Sequence, residues 1–144
     1  ADDEVAALAE RIGRPALETE FISVDGELKE AALWLGPLAS AERRATVLRS
    51  GAGSATLDNL AAPPAPLAEP LAYLYEPDPA VIRAHLVADL AQRLGAAQLD
   101  RQIAYLTGDE LIATPFARCW RVLEWLPFGL KRLRARLRAL GAGL

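Results

Sequence analysis

Apolar residues along this chain switch between a spacing of two and a spacing of three to four, and the switches mark its elements. Val5, Leu8, Ala9 and Ile12 recur at helical intervals before Gly13 and Pro15, which predicts a short helix over residues 2–12. Residues 19–24 and 27–35 then read as strands on either side of Asp25-Gly26, a pair that supplies the positive φ of a two-residue primed turn. A third strand, 43–48, follows Gly36-Pro37, and the three are expected to be antiparallel, with Phe21, Leu33, Trp34 and Leu35 marking at least one buried face. From 50 to 70 the period is lost. Gly, Ala and Pro dominate there, with Pro63, Pro64, Pro66 and Pro70 giving the composition of a stiffened linker.

Beyond residue 70 the pattern predicts a strand at 72–75, then a helix at 79–94 with Ile82, Leu86, Leu90 and Leu94 in register, then a strand at 103–107. Gly108-Asp109 turns the chain toward a longer strand at 117–126, and a helix at 129–140 with Gly141 as its cap closes it. The junction Tyr73-Leu74-Tyr75-Glu76-Pro77-Asp78-Pro79 is the most sharply specified corner. Both prolines push the residue before them out of the α region, so Asp78 falls where an N-cap belongs and Pro79 takes the first helical position. The fold class expected is therefore α+β: antiparallel strands, then an incomplete ferredoxin-like βαββα plan that lacks its last strand.

With 144 residues, 52% of them apolar, the chain has material for a core. No apolar run approaches the roughly 20 residues of a membrane helix, and no signal-peptide pattern is present, so no membrane is implied and the expected location is cytoplasmic. A single cysteine, Cys119, excludes an internal disulfide and reads as a structural thiol in a strand. The absence of methionine and the start on Ala1 suggest either a trimmed initiator or a piece of a longer protein. The net charge of −3 conceals an asymmetry. Residues 118–144 carry seven basic groups against Glu124 alone, for +6, which leaves −9 on residues 1–117.

That basic segment holds the candidate binding residues: Arg118, Arg121, Lys131, Arg132, Arg134, Arg136 and Arg138. The last helix puts Leu130, Leu133, Leu137 and Leu140 on one stripe and its cations on the other faces, an arrangement that neutralises phosphates with little regard to sequence. The same cations also suit the negative end of a helix dipole, and a membrane-surface helix is a third reading. Trp120, Trp125, Phe116 and Phe128 are either core or a platform for stacking bases. Ser50-Gly51-Ala52-Gly53-Ser54 looks like a phosphate loop but opens no amphipathic helix, so it reads as linker. His85 precedes Asp89 by one helical turn, a surface-pair spacing, and no further metal ligands lie nearby. Glu76 and Asp78 flank Pro77 as an acid/base pair might, but capping explains them more simply.

The run YLYEPDPAVIRAHLVADLAQRLG, followed by LDRQIAYLTGDELIATPFARCWRVLEWLPFGLKRLRARLRALG, resembles the THUMP-like C-terminal domain of bacterial class I S-adenosylmethionine-dependent methyltransferases, over residues 71–144. The stretch EFISVDGELKEAALWLGPLA through RRATVL resembles the closing strands of the methyltransferase domain in the same proteins. The resemblance divides the chain into residues 1–49 from a Rossmann-like domain, a linker at 50–70, and a truncated ferredoxin-like module at 71–144. It implies a parent that binds S-adenosylmethionine and transfers a methyl group, with tRNA or rRNA as the partner class. The cofactor's glycine-rich turn and the target-base motif are absent here, so catalytic, cofactor and metal residues are expected to be none in this chain. The alternative is a non-catalytic interaction or scaffold module, in which the basic helix docks on acidic surface.

Overall fold

The computed structural model describes Ala7, Glu10 and Arg11, all helical and exposed, together with residues 17–142. The expected helix at 2–12 therefore lies largely outside the described residues, its four apolar positions included. The first sheet is built from β1 (Leu17–Val24), β2 (Glu27–Leu35), β3 (Arg43–Arg49) and β4 (Gly53–Asp58), in the order β2-β1-β3-β4. Asp25 and Gly26 both have positive φ, 52° and 85°, as the primed turn requires, and they join β1 to an antiparallel β2.

The expectation of three antiparallel strands is corrected here, because β3 runs parallel to β1, with Thr19 opposite Arg43. Glu18 accounts for this. Its carboxylate accepts the amides of Ser40 and Ala41 at 2.7 and 2.9 Å, which draws the connection after β2 over the start of β1 and delivers β3 to the far side. The linker expectation is corrected as well. Residues 53–58 form β4, antiparallel to β3, and a tight turn leads into it, with Gly51 in the turn and Gly53 at the head of the strand taking φ of 78° and 85°.

The two faces of this sheet differ. Phe21, Ala45, Val47 and Leu57 are buried on the inner face. The outer face is a polar lattice in which Trp34 Nε1 and the Thr46 hydroxyl donate to Glu20, and Arg44 Nε reaches Asp58 at 2.8 Å and Glu18 at 3.1 Å. Burial works against ionisation of Glu18, but the Ser40 and Ala41 amides, the Arg44 guanidinium and the Ser40 hydroxyl together hold its carboxyl below the usual glutamate range.

The second sheet comprises β5 (Tyr73–Pro77), β6 (Ala97–Asp100), β7 (Ile103–Gly108) and β8 (Ala117–Arg121), in the order β6-β7-β5-β8 with every neighbouring pair antiparallel. The expected helix at 79–94 is two helices, α1 (Pro79–Arg83) and α2 (Val87–Leu94), because His85 adopts φ 59°. The His85 and Leu86 amides close back on the carbonyls of Ile82 and Val81, as at a left-handed helix end. The break matters for packing. A straight helix would have buried Ile82, which is instead 39% exposed, while Val81, Ala84, Leu86 and Leu90 are enclosed. α1 packs on β1, β2 and β3, and α2 packs on β7, so the bend lets one stretch of chain cover both sheets.

β6 was not expected. It is four residues at a sheet edge and is held partly by the connecting segment, whose Leu67 bridges to Gln98. β8 stops at Arg121 rather than 126, a loop joins it to β7, and α3 (Leu130–Ala139) follows it as expected. Tyr75 organises that loop: its buried hydroxyl donates to the Glu110 carbonyl at 2.6 Å and accepts the Ile112 amide at 2.9 Å. One hydrophobic cluster then runs through both sheets, from Phe21 and Val47 across Ala80 and Val81 to Leu90, Leu106, Tyr75 and Phe116. Asp89, expected to be a surface partner of His85, is buried and accepts the amides of Leu60 and Ala62, fastening the connecting segment to α2.

Because Glu18 ionises more readily folded than unfolded, the stability it contributes is complete above the ordinary glutamate pKa of about 4.3 and is lost as pH falls through its lower folded value. Urea unfolding followed from pH 6 to 3 is expected to show Glu18→Gln less stable at pH 6 by roughly 1–3 kcal/mol, with a shallower loss of stability toward acid than the unsubstituted protein.

Candidate nucleic-acid interface

The corner between β5 and α1 meets the first hairpin turn. Asp78 does what its sequence position predicts: one carboxylate oxygen accepts the Ala80 amide at 3.0 Å, with Pro79 at the first helical position. Its other oxygen takes Arg49 Nη2 at 3.2 Å, and the same nitrogen donates to the Pro115 carbonyl at 3.1 Å. Arg49 ends β3, so this pair ties the first sheet to the second. A residue that sequence reasoning passed over thus holds the most informative corner of the chain. Its only signal was a cation at a strand end, which has no distinguishing neighbours.

A cleft of about 150 Å³ opens at this junction, lined by Gly26, Arg49, Glu76, Asp78, Ile82 and Arg118. Glu76 lies opposite Arg118 across the β5–β8 pair and accepts from the Tyr105 hydroxyl at 3.3 Å. Asp78 is 4% exposed and fully engaged, so the two carboxylates do not face one another as an acid and a base.

The remaining candidates lie beyond this cleft. Arg121 ends β8, and Lys131, Arg132, Arg134, Arg136 and Arg138 stand along α3. α3 buries none of its residues, and four of its five cations are exposed. Arg136 is the exception and is paired with Glu124 at 2.5 Å. Its leucine stripe is open too, with Leu133 at 37% and Leu130 at 60% exposure. Gly141 takes φ 67° and ends the helix as expected, with the Ala142 amide reaching the Leu137 carbonyl.

Of the four aromatics considered as a platform, Phe116 is corrected to core: it is 2% exposed and carries the Arg93 guanidinium 5.3 Å from its ring centre. Trp120, Trp125 and Phe128 are exposed. Cys119 is half-buried beside the core.

These residues do not fit S-adenosylmethionine. The Gly51–Gly53 turn joins antiparallel strands instead of opening a helix, and the junction cleft is smaller than the roughly 300–1,000 Å³ typical of cofactor pockets. Among the described residues no cluster of His, Cys, Asp and Glu gathers to hold a metal, and no helix is long and apolar enough to cross a membrane.

The two-sheet α+β fold is shared with the crystal structure of a candidate methyltransferase from Porphyromonas gingivalis, with a TM-score of 0.67 at 17% identity over 87% of this chain and 34% of that one. The sequence adds a closer link. Corresponding proteins of two Mycobacterium tuberculosis strains, both named uncharacterized S-adenosylmethionine-dependent methyltransferases, are 42% identical over 140 residues, covering 93% of this chain. The chain spans 37% of the length of these curated relatives. No protein-family model matches it.

Replacing Asp78 separates its two duties. Asp78→Asn keeps a good cap and loses the ion pair, whereas Asp78→Ala loses both, so denaturation midpoints are expected to order as wild type, Asn, Ala, with Ala lower by roughly 2–3 kcal/mol.

Proposed function

We propose that this chain is the substrate-holding part of an S-adenosylmethionine-dependent methyltransferase that acts on RNA in the cytoplasm. The relatives' names support the methyltransferase assignment. The second sheet supports a THUMP-like module: β7 lies between β5 and β6, as in a split βαβ unit, and β8 takes the fourth place in a ferredoxin-like order. The cofactor belongs to the rest of the parent protein, and this part contributes grip on tRNA or rRNA.

One observation carries the RNA reading. Docking of the basic helix onto acidic surface would bury its cations in carboxylate pairs, yet Lys131, Arg132, Arg134 and Arg138 are exposed and only Arg136 is paired among the described residues. Together with Arg118 and Arg121 they form the cationic set that phosphates neutralise, positioning a substrate without reading its sequence. The open leucines of the same helix favour a second reading, a protein-docking module, in which Leu133 and Leu137 meet a partner while the cations flank it.

Fluorescence anisotropy with a structured RNA tests the first reading. Affinity is expected to fall steeply as salt rises from 50 to 200 mM, and reversing Arg134 and Arg138 to Glu is expected to weaken binding roughly tenfold or more. Salt-independent binding, or binding unmoved by the reversals, overturns it. The second reading requires instead that Leu133→Ala with Leu137→Ala abolish a protein contact and leave RNA affinity intact.

A further inference from the structure

The junction cleft contains an arrangement that neither the capping of α1 nor the basic helix explains. A side chain at Gly26 would place its Cβ 2.9 Å from Arg118 Nη2 and 3.7 Å from Arg49 Nη1, so two guanidiniums from different sheets converge on one point of the hairpin turn. Like charges brought together repel unless something negative lies between them. Arg49 spends Nη2 on Asp78 and the Pro115 carbonyl, and it is Nη1 that faces the turn. Arg118 is exposed and has no ion pair among the described residues, although Glu76 lies across from it on the neighbouring strand. The glycine matters twice. Its φ of 85° makes the turn, and its missing side chain leaves room for the Arg118 guanidinium to lie against it, with Arg49 Nη1 nearby.

We propose that this cleft is a phosphodiester site: Arg118, with Arg49 Nη1 beside it, receives one backbone phosphate of the nucleic acid bound by the chain. The proposal rests on the RNA reading above and adds a specific place to it. Guanidinium forks match phosphate oxygens in geometry, and the 150 Å³ of the cleft suits a group of that size. Charge narrows the ligand further. Asp78 balances Arg49, Asp25 of the hairpin turn adds a second carboxylate near Arg49, and Glu76 stands near Arg118, so the cleft has no surplus positive charge to draw in a dianion such as a terminal or free phosphate. A singly charged diester, held by directed N–H donors and drawn in by the cations of α3, fits better. Glu76 therefore sets selectivity, and removing its charge opens the site to more negative groups.

The test uses the full chain with two probes, a structured RNA and inorganic phosphate, and takes the Arg134→Glu/Arg138→Glu variant as reference. Arg118→Gln is expected to leave the thermal midpoint unchanged, weaken RNA binding roughly 3- to 10-fold, and flatten the salt dependence by about one phosphate contact. Glu76→Gln is expected to tighten RNA binding severalfold and to make inorganic phosphate a better competitor. If Arg118→Gln changes neither affinity nor salt slope while the reference variant weakens binding, the cleft proposal falls and the RNA reading stands. If neither variant changes binding, both fall. Millimolar inorganic phosphate that displaces RNA from the unsubstituted protein, or Glu76→Gln without effect, marks a free-anion site or an inert cleft and overturns the diester assignment.

Discussion

Asp78 is the point on which the two sheets turn. One carboxylate closes the first turn of α1 and at the same time grips the arginine that ends β3. Neither task is unusual alone. Combined, they fix the direction in which α1 leaves the second sheet, and that direction decides whether Ala80, Val81 and Ala84 reach the first one. The apolar cluster that spans the molecule depends on this aim. A helix launched at another angle would leave Phe21, Ala45 and Val47 with no cover from that side, and burial of side chains such as Phe21 and Val47 contributes about 1.5–3 kcal/mol each. A single polar corner thus sets where a much larger hydrophobic contribution is made.

Elements whose signals are local were legible in the sequence. Asp25-Gly26 gave its turn, Asp78-Pro79 its cap, Gly141 its helix end, and β1, β2, β3, β5 and β7 lie within a residue or two of their expected places. Readings that depended on distant partners failed. The periodicity of Ile82, Leu86, Leu90 and Leu94 fits one continuous helix and cannot register that two separate sheets must both be covered, which is what His85 accomplishes by bending the chain. The parallel β1–β3 pairing rests on Glu18 reaching amides more than twenty residues away. Composition made residues 53–58 look like linker, because small residues such as Gly53, Ser54 and Ala55 carry little strand preference; their place in β4 comes from pairing with β3.

The candidate site shows the same division. Arg118 and the cations of α3 were visible as a charge asymmetry that any reading of composition would find. Arg49 was not, since its importance arises from folding one strand end against a corner 29 residues further along. Glu76 and Asp78 were visible as a pair but change meaning once placed: one accepts a tyrosine hydroxyl beside a cleft, while the other is buried in structural work. Spacing in sequence put them together, and the alternation of a strand followed by a turn set their environments apart.

The connecting segment after β4 was expected to be a tether, and its composition remains that of one. In the fold it is pinned to Asp89 near one end, bridged to β6 through Leu67 and Gln98 in the middle, and held by the Thr107 hydroxyl at Leu71 near the other. A strap fastened at three points does not swing. The segment then acts as a third link between the two sheets, beside the apolar cluster they share and the Arg49–Asp78 pair.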